Sequence, residues 1–130
     1  MLSIKKIMSK DLHIMSPDTS VMDAAKMMEG HNIGSIIVSN DNEDFKGIIT
    51  ETDIVRKVVA QGKTPEQVNI IDIMTSPLNT IDAESSIVEA SDLMDKKHTR
   101  HLMVTEKGRL VGVISARDLL HPVYLDREGW

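Results

Sequence analysis

The chain has 130 residues, 41% hydrophobic and 27% charged: enough for one ordinary globular domain, too few for a catalytic domain plus a regulatory one. One Phe, one Tyr and one Trp leave the core to Ile, Leu, Val and nine Met, and exclude recognition by rows of stacked aromatic rings. A net charge of -5 argues against a general phosphate-backbone binder, and the lack of Cys excludes a disulfide scaffold, a thiolate zinc site and a thiol nucleophile.

In chain order, the first expected element is a short strand at His13–Met15. Ser20-Val-Met-Asp23 then reads as a capping box, in which the hydroxyl accepts from an exposed N–H and the acid three positions on answers it. Val21, Ala24, Ala25 and Met28 behind it have the spacing of an amphipathic helix. Ser35–Val38 and Gly47–Thr50, joined by the turn-forming Asn40–Asp44, predict a β-hairpin, and Glu51–Ala60 a second helix. Residues 61–70, with Gly62 and a helix start at Thr64-Pro65-Glu66, read as a connection. The series then recurs. A strand is expected at Asn79–Ile81, a capped helix from Ser86-Ile-Val-Glu89 through Ile87, Ala90, Leu93 and Met94, and a hairpin of His101–Val104 and Leu110–Ser115 turning at Glu106–Gly108. A helix over Ala116–His121 is stopped by Pro122. No apolar run approaches the ~18 residues of a membrane span, and residues 1–20 lack the apolar core of a signal peptide, so a soluble, cytoplasmic chain is expected.

The chain is therefore written twice. Residues 7–38 align with 73–104, and 47–57 with 112–122. Ten of these 43 pairs are identical: Ile7/Ile73, Met8/Met74, Leu12/Leu78, Ser20/Ser86, Ala24/Ala90, Met28/Met94, Val38/Val104, Gly47/Gly112, Ile49/Ile114 and Asp53/Asp118. The fold class is α+β, a β-α-β-β-α unit used twice: repeat 1 at 1–60, a linker at 61–70, repeat 2 at 71–123 and a tail at 124–130. A unit of about 55 residues is marginal alone, so two copies packed sheet to sheet around a pseudo-twofold axis are expected.

The strongest local signal is Gly47-Ile-Ile-Thr50-Glu-Thr-Asp53, repeated as Gly112-Val-Ile-Ser115-Ala-Arg-Asp118. A strand runs into a helix with a hydroxyl and a carboxylate three residues apart. Free N–H groups at the helix start favour an anion such as phosphate, and the carboxylate can accept from the two vicinal hydroxyls of a ribose. The structural alternative is that Thr50 and Ser115 only cap helices while the acids complement the helix dipole.

These motifs, with the Ile-Met-Ser and Ile-Met-Thr starts and the segment IGSIIV at 33–38, resemble the cystathionine-β-synthase (CBS) domain family over residues 3–122. The pair resembles a stand-alone Bateman module. The resemblance implies a non-catalytic sensor that binds an adenosyl ligand (AMP, ADP, ATP or S-adenosylmethionine) in clefts between the copies and signals by a conformational change. It implies phosphate contacts from Thr50 and Ser115 and ribose contacts from Asp53 and Asp118. The cleft of Ser115 and Asp118 would be closed by Ser9, Leu12 and Ile14, and that of Thr50 and Asp53 by Thr75, Leu78 and Thr80. Some family members place basic residues at the start of the second strand to hold phosphates; those positions are Arg100 and His101 in the second copy but Gly34 and Ser35 in the first, which makes the Ser115/Asp118 cleft the better phosphate site and leaves the Gly34/Ser35/Thr50/Asp53 cleft empty or suited to a less anionic ligand. With no aromatic residue between 46 and 123, adenine would lie between aliphatic side chains such as Leu12, Ile14 and Ile114.

The implied partners are the small adenosyl ligand, as a regulatory rather than catalytic cofactor, and a second copy in a homodimer, with exposed faces of helices such as Glu51–Ala60 supplying the contact. Alternative functions are a structural adaptor with empty clefts or, against the negative charge, nucleic-acid binding. His98 and His101 specify no metal site, since no third converging ligand is evident. The Met residues at 22, 27 and 28 read as core or interface filling, Asp41–Asp44 as a solvated hairpin tip, and Tyr124 and Trp130 as a tail packed on a partner or disordered.

Overall fold

Hairpin-forming runs flanked by amphipathic helices build the same three-stranded arrangement twice in the computed structural model, which describes residues 3–41 and 44–120. In the first, β1 (Ile14–Met15) runs parallel to β2 (Ser35–Ser39), which pairs antiparallel with β3 (Phe45–Thr50). In the second, β4 (Thr80–Asp82), β5 (His101–Glu106) and β6 (Arg109–Ser115) repeat that order and sense. The register repeats too: Val38 faces Gly47 as Val104 faces Gly112, and each hairpin shifts register at the next residue, Val38/Ser39 and Val104/Thr105. Most strands run one or two residues beyond the sequence expectation, because pairing continues into polar hairpin residues that hydrophobicity does not mark.

α1 (Val21–His31) and α3 (Ile87–Lys97) are the expected amphipathic helices, each burying one stripe: Val21, Ala24 and Met28 in the first, Ala90 and Met94 in the second. Both end in a left-handed residue, Asn32 and His98 with φ of 53°, after which the amides of Ile33 and Thr99 donate to Met28 and Met94 carbonyls at 3.0 Å. His98 is thereby explained as a helix stop. The two expected capping boxes are only half made. Ser20 and Ser86 accept from the amides of Asp23 and Glu89 at 3.1 Å, but the exposed acids do not reach back, water being an equal partner there.

The expected helix Glu51–Ala60 is a correction. α2 is α-helical only over Glu51–Ile54 and continues as a π-helical turn, Val55–Val59, in which the Ala60 amide donates to the Val55 carbonyl at 2.8 Å. α4, helical over 116–120, follows β6; His121, Pro122 and the tail with Tyr124 and Trp130 lie outside the described residues. Residues 61–70 are firmly held. They include a 3-10 turn at Pro65–Gln67, the amide of Val21 donates to the Val68 carbonyl, and the amide of Ile70, itself fully buried, donates to the Thr19 carbonyl.

The compact units do not follow the sequence repeats. One consists of His13–Leu78; the other joins the described residues up to Leu12 to those from Asn79 onward. The first core gathers Val21, Ala24, Met28, Ile36, Val38, Ile49, Val58, Ile70 and Ile73, the last two from beyond residue 60. The second gathers Ile81, Ala83, Ala90, Met94, Leu102, Val104 and Ile114 around Ile4, from the start of the chain.

Candidate functional site

Each motif begins at a glycine because backbone passes where a side chain would sit. A Cβ on Gly47 would come within 2.5 Å of the Thr75 carbonyl oxygen, and one on Gly112 within 2.7 Å of that of Ser9. At these places residues from outside the hairpin add to its edge. The Thr75 and Ile48 amides donate to each other's carbonyls at 2.8 and 2.9 Å, and those of Ser9 and Val113 do so at 2.9 Å. Thr75 is thereby placed beside the first motif and Ser9 beside the second.

The motif hydroxyls and carboxylates meet each other at the strand ends. Thr50 N–H donates to Asp53 Oδ2 at 3.0 Å, and the Asp53 amide donates to Thr50 Oγ1 at 3.2 Å. Ser115 N–H donates to Asp118 Oδ2 at 2.8 Å, and the Asp118 amide returns to Ser115 Oγ at 3.3 Å. These are the reciprocal boxes that the sequence placed at Ser20 and Ser86. The buried position decides it: a carboxylate removed from water has to find donors, and Asp53 is only 5% exposed.

This geometry narrows one expectation and corrects another. Of the amides at the start of the helix after the second motif, those of Ser115 and Asp118 close the box and that of Ala116 donates to the Arg100 carbonyl at 2.8 Å. The Glu51 amide is likewise given to the Gly34 carbonyl at 3.1 Å. Ile114, expected as a wall for adenine, is fully buried within the second core, because strand alternation turns it with Leu102 toward the helices.

The remaining candidates are placed as follows. His101 and Ser115 are cross-strand partners, which puts His101 next to the motif hydroxyl. Arg100 is exposed and lines an open depression of about 410 Å³ with Met94, His98, Thr99, Ala116 and Leu119; the lining includes neither Ser115 nor Asp118. Ser9 Oγ accepts from the Asp11 amide at 3.2 Å. Leu12 and Thr80 are found in the unit of the second motif, with Thr80 paired to Met103. Ile14 and Leu78 are found in the unit of the first, with Ile14 paired to Ile37.

One residue that carries weight was missed in the sequence. Lys57 Nζ lies 2.9 Å from Asp53 Oδ1 and donates to the Ile73 carbonyl at 2.9 Å. Its spacing, four residues after Asp53 on an expected helix, was a visible signal. Among the described residues no three His, Asp or Glu side chains come together as a metal site, and no helix is long and apolar enough to cross a membrane.

The comparisons with known proteins agree on the architecture. The uncharacterised protein MK0525 of Methanopyrus kandleri is 37% identical over 120 residues, 92% of this chain and 61% of that protein. The chain thus spans about three fifths of that relative. A protein with CBS domains from Burkholderia ambifaria superposes with a TM-score of 0.90 at 31% identity, covering 96% of both chains. A hexameric CBS-CP12 protein from bloom-forming cyanobacteria does so with 0.84 at 30% identity, covering 92% of this chain and 71% of that one. The family model for the CBS domain matches twice, at residues 4–60 and 70–124, and so this chain belongs to the CBS domain family and carries a tandem pair of its domains.

Proposed function

We propose that this CBS pair is a non-catalytic regulatory module whose second motif, Ser115 and Asp118, takes an adenosyl ligand such as AMP, ADP, ATP or S-adenosylmethionine. The observation that carries the reading is the state of that motif. Asp118 is half-buried and uses Oδ2 for the Ser115 amide, while Oδ1 has no hydrogen bond among the described residues. The Ser115 hydroxyl accepts from the Asp118 amide, which leaves its own hydrogen free to donate. A carboxylate oxygen able to accept from a ribose hydroxyl, and a hydroxyl able to donate to a phosphate, stand side by side. Arg100, next in the chain to His101, the cross-strand partner of Ser115, supplies the positive charge suited to the phosphate. Ligand binding would act by differential affinity for two conformations, typically a coupling of ~1–3 kcal/mol.

A thermal-shift screen with AMP, ADP, ATP, S-adenosylmethionine and NADH tests the reading. A ligand at 100 times its Kd contributes ~2.7 kcal/mol of stability, a clearly visible rise in Tm. Asp118→Ala is expected to remove most of the shift, and Asp53→Ala to lower the unliganded Tm while leaving the shift. Absence of a shift with every ligand refutes the adenosyl reading and favours an adaptor. Self-association belongs to both functions. It is supported by the exposed Val55 and Val59, 57% and 62% accessible on the segment after α2, and by the hexameric assembly of the cyanobacterial neighbour.

A further inference from the structure

The two motifs differ oxygen by oxygen. A carboxylate offers about four lone-pair positions. In the first motif four donors take them: Thr50 N–H and Thr50 Oγ1 on Oδ2 at 3.0 and 3.2 Å, Thr75 Oγ1 on Oδ1 at 3.0 Å, and Lys57 Nζ on Oδ1 at 2.9 Å. The Thr50 hydroxyl has thereby spent its hydrogen on Asp53, unlike that of Ser115. A ribose diol would have to displace Lys57 or Thr75 from a carboxylate that is 5% exposed and whose lone pairs are already taken. Among the described residues the second carboxylate has neither donor: Lys57 aligns with Pro122, which has no ammonium, and Thr75 aligns with Ser9, whose hydroxyl is engaged with the Asp11 amide and makes no hydrogen bond to Asp118.

We propose that the first motif is an internal latch and not a second ligand site: Lys57, Thr75 and Thr50 saturate Asp53, which thereby fastens Ile73–Thr75 to β3 and α2. The fastening is double. Lys57 also donates to the Ile73 carbonyl, and the Thr75 backbone is paired with Ile48. The consequence for binding, one adenosyl ligand per chain, rests on the function proposed above; the latch does not.

Two measurements on the whole chain separate these. In hydrogen exchange, Lys57→Met and Thr75→Val each accelerate the Thr75 and Ile48 amides by about tenfold or more, as expected for loss of a bond to a buried carboxylate, and leave the Ser9 and Val113 amides unchanged. In titration calorimetry with AMP, ATP and S-adenosylmethionine, the wild type binds one equivalent. Both variants keep that Kd within about twofold, because they share no partner with Asp118. Unchanged exchange at Thr75 and Ile48 overturns the latch, and so does a second equivalent in the wild type or a large loss of affinity in Lys57→Met. If none of the three ligands binds, the adenosyl reading fails, and the exchange rates alone decide the latch.

Discussion

At the scale of single residues, the motif glycine shows what a short sequence signature encodes. Gly47 and Gly112 are conformationally ordinary; neither has a positive φ. What they provide is room. Gly47→Ala would drive a methyl to 2.5 Å from the Thr75 carbonyl oxygen, and Gly112→Ala would meet both the Ser9 carbonyl at 2.7 Å and Met8 Sδ at 2.6 Å. Backbone cannot yield as a flexible side chain can, so each substitution is expected to cost ~1–3 kcal/mol in urea denaturation. Gly30, inside α1 with nothing within 4 Å of its absent Cβ, is the control. Gly30→Ala should stabilise by ~0.5–1 kcal/mol through helix propensity. Equal effects at the three positions would mean that close approach is not why the motif begins with glycine. The same scale marks how far the sequence could be read. Thr50, Asp53, Ser115 and Asp118 stood out by spacing and repetition. That Asp53 is saturated and Asp118 is not depends on Lys57, whose spacing of four residues was visible, and on Thr75, which pattern alone does not tie to a carboxylate 22 residues away. Ile114 was misplaced because periodicity says a strand residue is apolar without saying which side the helices cover.

At the scale of elements, the hairpins and the amphipathic helices were legible because each has a period that only one structure satisfies. The segment after Thr50 was not. Over ten residues the apolar spacing of an α-helix and of one interrupted by a π turn are nearly the same, so Glu51–Ala60 reads as uniform. The turn leaves Val58 fully buried while Val55 and Val59 are largely exposed. Two β-branched apolar side chains, one turn apart and open to water, form the kind of surface that association removes. The chain is therefore expected to elute above its monomer mass with light-scattering detection. The double substitution Val55→Glu, Val59→Glu should return it to the monomer mass without altering the far-UV circular dichroism. Elution of the unsubstituted chain as a monomer would assign these residues no role in assembly. Lys5 illustrates a weaker contact of the same scale. Its ammonium lies 2.7 Å from Glu106 Oε2, pinning the Ile4–Lys6 turn to β5, and the hydrogen bond to Glu106 raises its pKa above the usual 10.5. Any contribution it makes is present at neutral pH and is lost as pH rises through that raised value.

At the scale of the whole molecule, the repeat in the sequence and the unit in space are different objects. The alignment of 7–57 with 73–122 invites a cut near residue 60, and the family match at 4–60 and 70–124 follows the same division. The cores are divided otherwise. Ile70 and Ile73 complete the core built on α1, and Ile4 completes the core built on α3. This exchange was invisible because a repeat aligns each residue with its counterpart, and a counterpart is by definition not its neighbour. A fragment of residues 1–60 would leave Ile4 without its core and Asp53 without Thr75. It would also open the space that Ile70 and Ile73 fill, and each such large-to-nothing loss in a core costs ~2–5 kcal/mol. Against the ~5–15 kcal/mol that a domain possesses, two such losses are enough to unfold it. A fragment of residues 13–78 keeps its whole core and the Asp53, Lys57 and Thr75 contacts. It is expected to show a cooperative urea transition by circular dichroism, while residues 1–60 show none at the same concentration. A cooperative transition in 1–60 and its absence in 13–78 would restore the sequence repeat as the folding unit.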